Sequence, residues 1–368
     1  PRYPSGSAGG GERSSKLLAT QLATQDRIDR VTVFTFDGKD TTYNNNVEIH
    51  RLGPVSSFLT EYQNLAAYRR LRTRLGSFDI IHAYNMELHP VAGYLSEKLD
   101  VPSVATLNSY HFFPSDVSNT TATRLQRFYE RVGHPTTGRV LRHFMKQIDA
   151  FIALSEAIRG IYCDNGFTDS RIEHIPNMID PEFNVPTTQS DGRYLLYVGS
   201  LTENKGVKYL VEALLLLPDT YHIRVVGDGD RSDVLRELAR DLNVTDRIEF
   251  SGRIPYDQIS DAYANAEMFV HPGIWPEPLN RTVLEAMQAE LPVVCTDIGG
   301  PPEVIPDKEL LCEPANPAAL AETIERARGL EQRHNLGELN RERIREQHAP
   351  PTIVPQIIDL YEDLLDTK

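Results

Sequence analysis

The stretch from His271 to Pro302 reads HPGIWPEPLNRTVLEAMQAELPVVCTDIGGPP. Its Pro-rich turn leads into a helix-like run, TVLEAMQA, and two apolar runs of strand length flank the turn and the helix, EMFVHP at 267–272 and PVVCTD at 292–297. Strand, helix and strand in this order form a βαβ unit, whose two strands pair in parallel. The stretch therefore predicts an α/β fold built on a parallel sheet.

Two acidic residues of this stretch indicate a ligand. Glu277 lies in the turn, and Glu285 follows in the helical run. A helix N-terminus offers unpaired backbone N–H groups and the positive end of a dipole, which suit a phosphate, while carboxylates accept hydrogen bonds from sugar hydroxyls. The pattern favours a nucleotide-sugar site. The alternative is a helix-start charge followed by a solvated helix residue.

Strand-length apolar runs alternate with amphipathic helical segments along the whole chain, which is typical of doubly wound α/β domains. Further strands are predicted at 32–37, 79–84, 102–107, 150–155, 171–176, 194–199, 222–227 and 247–252, and helices at 16–24, 62–75, 207–215, 233–242, 256–265 and 351–365. The polar, aperiodic stretch 181–192 predicts a linker. We therefore expect Rossmann-like domains at 1–180 and 193–347, and a C-terminal segment, 348–368, that returns to the first domain.

The first residues look like a glycine loop and its helix, GSAGGGERSSKLLATQLATQ, without the strand that usually precedes them. The first strand of such a sheet is usually central. We therefore expect the first domain to lack its first strand in this chain.

Composition excludes several functions. The formal net charge of −14 argues against general nucleic-acid binding, which needs an excess of Lys and Arg. The three cysteines lack the spacing of a zinc site and do not form an even disulfide set, so we expect thiols in a reducing cytoplasm. The longest apolar run, near 210–216, is too short to span a bilayer.

Two turns of the second half carry charged residues. Lys205 follows a strand and glycine turn in YVGSLTENKG and begins the next helix, where its charge and free amides suit a diphosphate; a solvated lysine is the alternative. Asp228 and Asp230 flank Gly229 in VVGDGD and have the form of an Asp-x-Asp metal motif. We favour a glycine turn before an acidic helix N-terminus, because no further carboxylate cluster accompanies them.

Five blocks of the second half occur in the order and spacing of family 4 retaining glycosyltransferases: VGSLTENKG, VVGDGD, FSGRIPYDQISDAYANAEMFVHP, WPEPLNRTVLEAM and CTDIGGPPEVI. The first half looks similar to the same family through GGGER, DIIHAYN, VPSVATL, FIALSEAIRGIY and IEHIPNMIDPEF. The chain thus resembles this family over nearly its whole length. The resemblance implies the GT-B fold, in which two doubly wound Rossmann-like domains face a central cleft.

The resemblance also implies roles for matching residues. Glu277 contacts the donor sugar near its anomeric carbon, Glu285 binds the ribose, and Lys205 neutralises the diphosphate. The amides of residues 279–283 complete the phosphate cradle, and Gly10 and Gly11 let the first-domain backbone approach the phosphates. The other donor-binding candidates are Gly199, Ser200, Gly227, Arg253, Leu279, Asn280, Thr282 and Val283. No metal or other cofactor is expected, because lysine and helix amides take the place of a metal.

The chain departs from the family pattern at four positions. Ser200 stands where the family usually has an arginine that pairs with the lysine. Leu279 and Asn280 replace a frequent aromatic residue and a frequent glycine. Asn108 stands where many members have a histidine that faces the reacting sugar, and His111 is the candidate to serve instead. We expect Asn108 and His111 to be the first domain's catalytic contacts.

The chemistry of sugar transfer fits these residues. Breaking a sugar–phosphate bond builds negative charge on the departing diphosphate, which preorganised cations and amides stabilise. A covalent route needs a carboxylate beneath the anomeric carbon, and Glu277 is the candidate. The resemblance favours attack from the same face without a covalent intermediate. Either route retains the configuration of the sugar.

A basic segment of the first half indicates where an acceptor binds. Between 121 and 147, one acidic residue, Glu130, stands against Arg124, Arg127, Arg131, Arg139, Arg142 and Lys146. Apolar residues interleave with them: Leu125, Phe128, Val132, Val140, Leu141 and Phe144. The segment suits an anionic membrane surface or a lipid-phosphate acceptor. The alternative is an amphipathic helix packed on the sheet, with a solvated basic face.

These observations together predict a retaining glycosyltransferase that moves a sugar from a nucleoside-diphosphate sugar to an acceptor hydroxyl on a sugar or lipid-linked glycan precursor. We expect it in the cytoplasm, peripheral on the inner face of the cell membrane. A nucleotide-sugar epimerase or phosphorylase of the same fold is one alternative. The other is a nucleotide-sugar-binding subunit with impaired catalysis, which Ser200 and Asn108 suggest.

Overall fold

The computed structural model describes residues 3, 9–38, 40–44, 46–55, 60–114, 117, 124–133, 135–185, 194–329 and 333–367. The chain folds into two compact units. Within the described ranges, the residues up to 178 and those from 350 to 367 form the first unit, and the residues from 179 to 349 form the second. The boundary at 178 and 179 lies two residues before the end predicted for the first domain. Residues 186–192 of the predicted linker lie outside the described residues.

The first unit contains two small sheets. Its strands are β1 (Val31–Thr35), β2 (Thr41–Asn44), β3 (Val47–Arg51), β4 (Ile81–Ala83), β5 (Ser103–Leu107), β6 (Ala150–Ala153) and β7 (Ile172–His174). Its helices are α1 (Gly10–Leu22), α2 (Thr60–Leu71), α3 (His89–Leu99), α4 (Arg124–Val132), α5 (Thr137–Met145) and α6 (Glu156–Tyr162). One sheet has the order β1-β3-β2, with β2 antiparallel, and the other is parallel with the order β4-β5-β6-β7.

The edge strands β1 and β4 line one cavity of about 1290 Å³. Val31 and Val33 of β1 and Ile81 and Ala83 of β4 are among its lining residues. In the described ranges, no strand joins β1 to β4. The expected absence of a central first strand stays a prediction.

The second unit is built on one parallel sheet of six strands. Its strands are β8 (Leu195–Val198), β9 (Ile223–Val226), β10 (Ile248–Gly252), β11 (Met268–His271), β12 (Val293–Thr296) and β13 (Leu311–Cys312). Its helices are α7 (Val207–Ala213), α8 (Ser232–Asp241), α9 (Ser260–Ala264), α10 (Arg281–Gln288), α11 (Pro301–Val304), α12 (Pro317–Gly329) and α13 (Arg333–His348). The strand order is β10-β9-β8-β11-β12-β13.

The central strands of this sheet determine where its site lies. Every residue of β8, β11 and β12 is buried, as expected of parallel strands covered on both faces. The chain leaves the central pair, β8 and β11, in opposite directions across the sheet, toward β9 and β12. Ligands of such sheets bind beyond the carboxyl ends of the strands at this switch point. The loops after β8 and β11 are therefore the place to look.

The C-terminal helix α14 (Pro350–Asp366) belongs to the first unit. Its Tyr361 hydroxyl lies 2.5 Å from Nδ1 of His82 on β4, and Arg27 after α1 pairs with Asp359 and Glu362. No helix in the described part of the chain combines the length and apolar character needed to cross a membrane.

Candidate functional site

Lys205 is positioned by a turn that requires glycine. The turn follows β8 and ends at Gly206, which has a φ of +68°, in the left-handed region. A Cβ on Gly206 would lie 1.9 Å from the carbonyl oxygen of Pro272, the residue that follows β11. Glycine therefore lets this turn lie against the loop that carries Glu277.

A second close approach fixes the backbone of Glu277. Gly299, in the loop after β12, has a φ of +74°, and a Cβ there would lie 2.5 Å from the backbone nitrogen of Glu277. The amide of Gly300 donates to the carbonyl oxygen of Glu277 at 2.7 Å. The loops after β8, β11 and β12 thus meet at Glu277.

Lys205 and Glu277 form a largely buried ion pair. The Lys205 Nζ donates to Glu277 Oε1 at 2.5 Å, and the two side chains are 15% and 12% exposed. The ammonium group also lies 5.5 Å from the ring centroid of Trp275, the one tryptophan of the chain, which adds a cation–π contact. The structure therefore brings together the residues that the sequence assigns to the diphosphate and to the sugar.

The second carboxylate oxygen of Glu277 has neutral partners. Asn280 Nδ2 donates to Glu277 Oε2 at 2.9 Å, and His271 Nε2 lies 3.4 Å from the same oxygen. His271 is the last residue of β11 and is buried. Burial lowers the pKa of His271 to about 4, so its ring is neutral at pH 7.

Glu277 remains ionised in this setting. Burial by itself raises the pKa of its carboxyl group, but the charge of Lys205, together with hydrogen bonds from Lys205 and Asn280, outweighs burial and holds the pKa below its ordinary value. An ionised carboxylate only accepts hydrogen bonds, so Glu277 suits a partner with hydroxyl donors.

The N-terminus of α10 lies directly after this loop. Asn280 caps the helix, because its Oδ1 accepts a hydrogen bond from the amide of Thr282 at 2.8 Å. Thr282 Oγ1 lies 3.0 Å from the carbonyl oxygen of Val198, at the end of β8. The side chains of Leu279 and Val283 are buried, so these positions offer backbone groups to a ligand. Within the predicted phosphate cradle, the Thr282 amide already donates to the cap.

Glu285 lies one helical turn further along α10, in a separate buried cluster. Its Oε1 accepts from Arg281 Nε at 3.0 Å and from the Tyr256 hydroxyl at 3.1 Å, and its Oε2 accepts from the Tyr263 hydroxyl at 3.0 Å. Arg281 Nη2 lies 3.7 Å from Asp180 Oδ2. Burial and the Glu285 charge raise the pKa of Tyr263 well above its ordinary value, so this donor keeps its proton.

Three of the remaining donor-site candidates have a structural explanation or lie at the surface. Gly227 has a φ of +139°, and a Cβ there would lie 1.8 Å from the carbonyl oxygen of Gly199, so backbone packing between the loops after β8 and β9 requires glycine. Ser200 is exposed, and its carbonyl oxygen accepts from the Tyr197 hydroxyl at 3.0 Å. Among the described residues, no side-chain hydrogen bond joins Ser200 to Lys205.

Asp228 lies in a turn, as the sequence analysis favours. Its Oδ1 accepts from the Ser232 hydroxyl at 2.7 Å and from the Gly229 amide at 2.9 Å. These hydrogen bonds, with the nearby charge of the exposed Arg253, lower the pKa of Asp228. Across the ranges that the structure describes, no three His, Cys, Asp or Glu side chains are grouped to hold a metal ion.

The candidates of the first half belong to the first unit. Asn108 follows β5, and its Nδ2 donates to the carbonyl oxygen of Tyr84 at 2.7 Å. His111 is exposed, and its Nε2 lies 2.9 Å from Thr60 Oγ1. Both residues line the cavity of about 1290 Å³, as does Gly11. A Cβ on Gly10 or Gly11 would meet no atom within 4 Å, so packing within the protein does not require these glycines.

Comparison with known families now identifies the chain. The family described as glycosyl transferases group 1 matches residues 178–343, and Glycosyltransferase Family 4 matches residues 8–183. The chain is a family 4/group 1 glycosyltransferase. An uncharacterized glycosyltransferase of Methanocaldococcus jannaschii is 27% identical to it over 345 residues, which cover 88% of this chain and 86% of that protein.

Solved structures agree with this assignment for the fold. Sucrose-phosphate synthase of Thermosynechococcus elongatus has a TM-score of 0.80 and 22% identity to this glycosyltransferase, and the match covers 98% of this chain and 95% of that one. HepE of Anabaena, solved with UDP and glucose, has a TM-score of 0.76 and 20% identity, with 98% and 97% covered. The predicted GT-B fold class is confirmed.

The sequence pattern does not indicate several residues of this loop cluster. His271, Trp275 and Arg281 lie within the opening stretch, yet their types alone assign them no role. Gly206 and Gly299 are the residues from which the site could have been inferred, since a glycine beside a candidate binding residue often marks a close backbone approach.

Proposed function

We propose that this glycosyltransferase moves a sugar, with retention of configuration, from a nucleoside-diphosphate sugar to an acceptor hydroxyl. The observation that carries the proposal is the buried Lys205–Glu277 pair beside the N-terminus of α10. It places a cation, a helix N-terminus and an ionised carboxylate in one loop cluster. The cation and the helix N-terminus suit a diphosphate, and the carboxylate suits the hydroxyl groups of a sugar.

The donor diphosphate is proposed to take Lys205 away from Glu277. In the structure the ammonium group is bound to Glu277 Oε1 and rests on the Trp275 ring. A diphosphate carries more negative charge than one carboxylate, and the dipole of α10 favours it further. When the sugar–phosphate bond breaks, negative charge grows on the diphosphate, and Lys205 is already in place to stabilise it.

The sugar is proposed to bind Glu277, and the ribose to bind Glu285. Once Lys205 has moved, Glu277 Oε1 is available to a sugar hydroxyl. Glu285 Oε2 accepts one described hydrogen bond, from Tyr263, and a carboxylate oxygen has room for a second. The acceptor hydroxyl attacks the anomeric carbon from the face that the diphosphate leaves and passes its proton to the departing phosphate oxygen. No metal is needed in this scheme, because Lys205 and the amides of α10 supply the positive charge.

The acceptor is assigned to the first unit, with Asn108 and His111 as its catalytic contacts and an anionic membrane as its setting. On α4, Arg127 and Arg131 are exposed, and so are the apolar Phe128 and Val132, at 63% and 48%. On α5, Arg139 is exposed beside Val140, which is 52% exposed. Exposed apolar residues between exposed arginines, in a chain of net charge −14, suit a surface of anionic lipid that carries the acceptor. HepE, by comparison, is a structural relative solved with UDP and glucose.

A ligand panel tests the donor site. Thermal unfolding is measured with UDP, GDP and ADP and with their glucose or mannose derivatives, and Trp275 fluorescence gives the dissociation constants. Lys205→Met should weaken nucleoside diphosphate binding at least about tenfold, because a hydrogen bond to a charged group contributes about 1.5–3 kcal/mol. Lys208→Met is the matched control, since Lys208 is an exposed lysine three residues further on, in the first turn of α7. Equal affinity of the Lys205 variant and the wild type would exclude this site.

Glu277→Gln separates sugar binding from nucleotide binding in the same assay. The variant should bind the nucleoside diphosphate at least as tightly as wild type, because Lys205 no longer has to leave a carboxylate. Transfer to an acceptor should fall at least about a hundredfold, as for loss of a contact to the reacting sugar. The anomeric configuration of the product, read by NMR, tests retention. Isomerised donor in the absence of an acceptor would favour the epimerase instead.

Vesicle flotation tests the membrane surface. Vesicles with anionic phosphatidylglycerol should carry the protein, vesicles of phosphatidylcholine alone should not, and salt should weaken the binding. Arg127→Gln with Arg131→Gln on α4 should reduce flotation, whereas Arg236→Gln with Arg240→Gln on α8 removes the same charge from the second unit and should not. If flotation does not depend on lipid charge, or if both double variants reduce it equally, this part of the proposal is wrong.

A further inference from the structure

The side-chain amide of Asn280 has one possible orientation. The backbone N–H of Thr282 lies 2.8 Å from it and needs an acceptor, so the amide oxygen Oδ1 must face Thr282. The amide nitrogen Nδ2 then points the other way, 2.9 Å from Glu277 Oε2 and 3.3 Å from His271 Nδ1. The helix cap of α10 therefore determines that Asn280 donates to Glu277.

The orientation of Asn280 also settles the tautomer of His271. Because Asn280 Nδ2 donates toward His271 Nδ1, this ring nitrogen is an acceptor, and the proton of the neutral ring resides on Nε2. His271 Nε2 lies 3.4 Å from Glu277 Oε2, the oxygen that Asn280 also contacts. Oε2 thus accepts a hydrogen bond from Asn280, whose amide nitrogen also faces His271 Nδ1, while Oε1 receives Lys205.

We propose that Asn280 and His271 are positioning residues: Asn280 holds Glu277 by Oε2, and His271 Nδ1 holds the Asn280 amide in place, so that Oε1 faces the donor sugar when Lys205 moves to the diphosphate. The inference rests on the proposed function. Lys205 leaves Glu277 when the donor binds, so the carboxylate keeps its orientation only if other groups hold it. Neutral donors suit this task, because they do not compete with Lys205 for the phosphate.

This arrangement depends on the residue type at position 280. A glycine at 280 has no side chain to reach Glu277, and serine or aspartate caps a helix without offering an N–H donor. Asparagine is the residue type that accepts from the helix and donates to the carboxylate at once. The cap of α10 and the orientation of Glu277 are therefore coupled through one side chain.

Asn280→Ser tests the proposal, since the shorter serine keeps the helix cap and removes the amide N–H that reaches Glu277. Dissociation constants are measured by Trp275 fluorescence for UDP, GDP and ADP and for UDP-glucose, GDP-mannose and ADP-glucose. For the pair that the wild type binds, Asn280→Ser should leave the nucleoside diphosphate affinity within about twofold. The extra affinity that the sugar confers should fall about tenfold, and kcat for transfer should fall with it.

Two further variants keep the test decisive. Asn280→Asp also keeps the cap but places a carboxylate against Glu277, and it should lose more of the sugar-dependent affinity than Asn280→Ser does. His271→Gln retains a side-chain acceptor for the Asn280 amide and should lose less than His271→Ala. If Asn280 only capped the helix, Asn280→Ser would behave as wild type. Any variant at this position that lowered the melting temperature would then lower the nucleotide affinity with it.

Wild-type behaviour of Asn280→Ser in both affinity and kcat would overturn the positioning role and leave the proposed function intact. Failure of the wild type to bind any of the six nucleotides would overturn the proposed function and the positioning role together. The two failures are distinguishable, because the first requires a wild type that binds and transfers.

Discussion

At the residue scale, the position of Lys205 depends on its neighbour more than on its own contacts. Gly206 allows the left-handed turn, and the 1.9 Å separation between a Cβ at this position and the Pro272 carbonyl leaves no space for a side chain. A backbone oxygen cannot rotate away as a flexible side chain does. The ion pair with Glu277 therefore requires glycine at 206.

Gly206→Ala should displace the turn and with it Lys205. We expect the second unit to lose about 2 kcal/mol or more of stability, from left-handed strain and the steric clash. Nucleoside diphosphate affinity should fall about tenfold or more, as in the Lys205 variant. Thermal unfolding and Trp275 fluorescence measure both effects. Gly329→Ala is the control, because a Cβ there would meet no atom within 4 Å; equal behaviour of the two alanine variants would contradict the argument.

At the element scale, one arginine stabilises the connection between α7 and β9. Arg247 donates to the carbonyl oxygens of Leu214 at 3.0 Å, Leu217 at 3.1 Å, Pro218 at 2.7 Å and Tyr221 at 3.2 Å. These carbonyls follow the end of α7, where helical partners are missing. The planar guanidinium group satisfies all four, which the three rotating protons of a lysine cannot match.

Arg247→Lys should therefore destabilise the second unit without altering the site. We expect a loss of about 2 kcal/mol, since hydrogen bonds from a charged group contribute about 1.5–3 kcal/mol each and lysine retains some of them. Urea unfolding measures this loss. Arg240→Lys, at an exposed position of α8, should change stability little. Nucleoside diphosphate affinity should stay at the wild-type value in both variants, and a large loss of affinity in Arg247→Lys would show coupling to the site.

The same scale shows how far sequence patterns extend. Continuous apolar runs predicted β8, β11 and β12, because strands buried on both faces must be apolar throughout. The strands β2 and β3 were missed. β2 reads TTYN and is mostly exposed, so it lacks an apolar pattern, and its pairing with β3 depends on backbone hydrogen bonds.

The charged residues of the candidate site could be predicted from the sequence, but the hydrogen bonds that join them to their neighbours could not. Lys205 and Glu277 stand in turns whose glycines and helix starts are visible in the sequence. The roles of His271 and Asn280 depend on a hydrogen-bond chain that joins β11 to the cap of α10. Donor and acceptor directions in such a chain follow from three-dimensional placement, which residue spacing does not encode.

At the scale of the whole molecule, buried histidines occur in both units. In the first unit His89 is buried and His82 is half-buried, and in the second unit His271 is buried. Burial lowers the pKa of His82 to about 4, that of His89 to about 3 and that of His271 to about 4, against about 6.5 in an unfolded chain. The folded state thus holds neutral rings that the unfolded state protonates in mild acid.

The sign of the resulting pH dependence follows from proton binding. Between pH 6.5 and about 4 the unfolded chain binds more protons at these rings than the folded chain, so the free energy of unfolding falls as the pH falls. The contribution of a neutral ring is complete above pH 6.5 and is lost progressively toward pH 4. At pH 5 the loss for a pKa lowered from 6.5 to about 4 amounts to about 2 kcal/mol per residue.

His82→Gln isolates one of these contributions. Glutamine retains a donor and an acceptor for the Tyr361 hydroxyl and for Thr106 Oγ1, which lie 2.5 and 2.8 Å from the ring nitrogens, but it does not titrate. The variant should be less stable than wild type at pH 7 because the side chain fits less well. Between pH 7 and 5 it should lose about 2 kcal/mol less than wild type, as measured by urea unfolding of the first unit. Parallel pH profiles for the two proteins would mean that folding does not shift the pKa of His82, and would contradict this prediction.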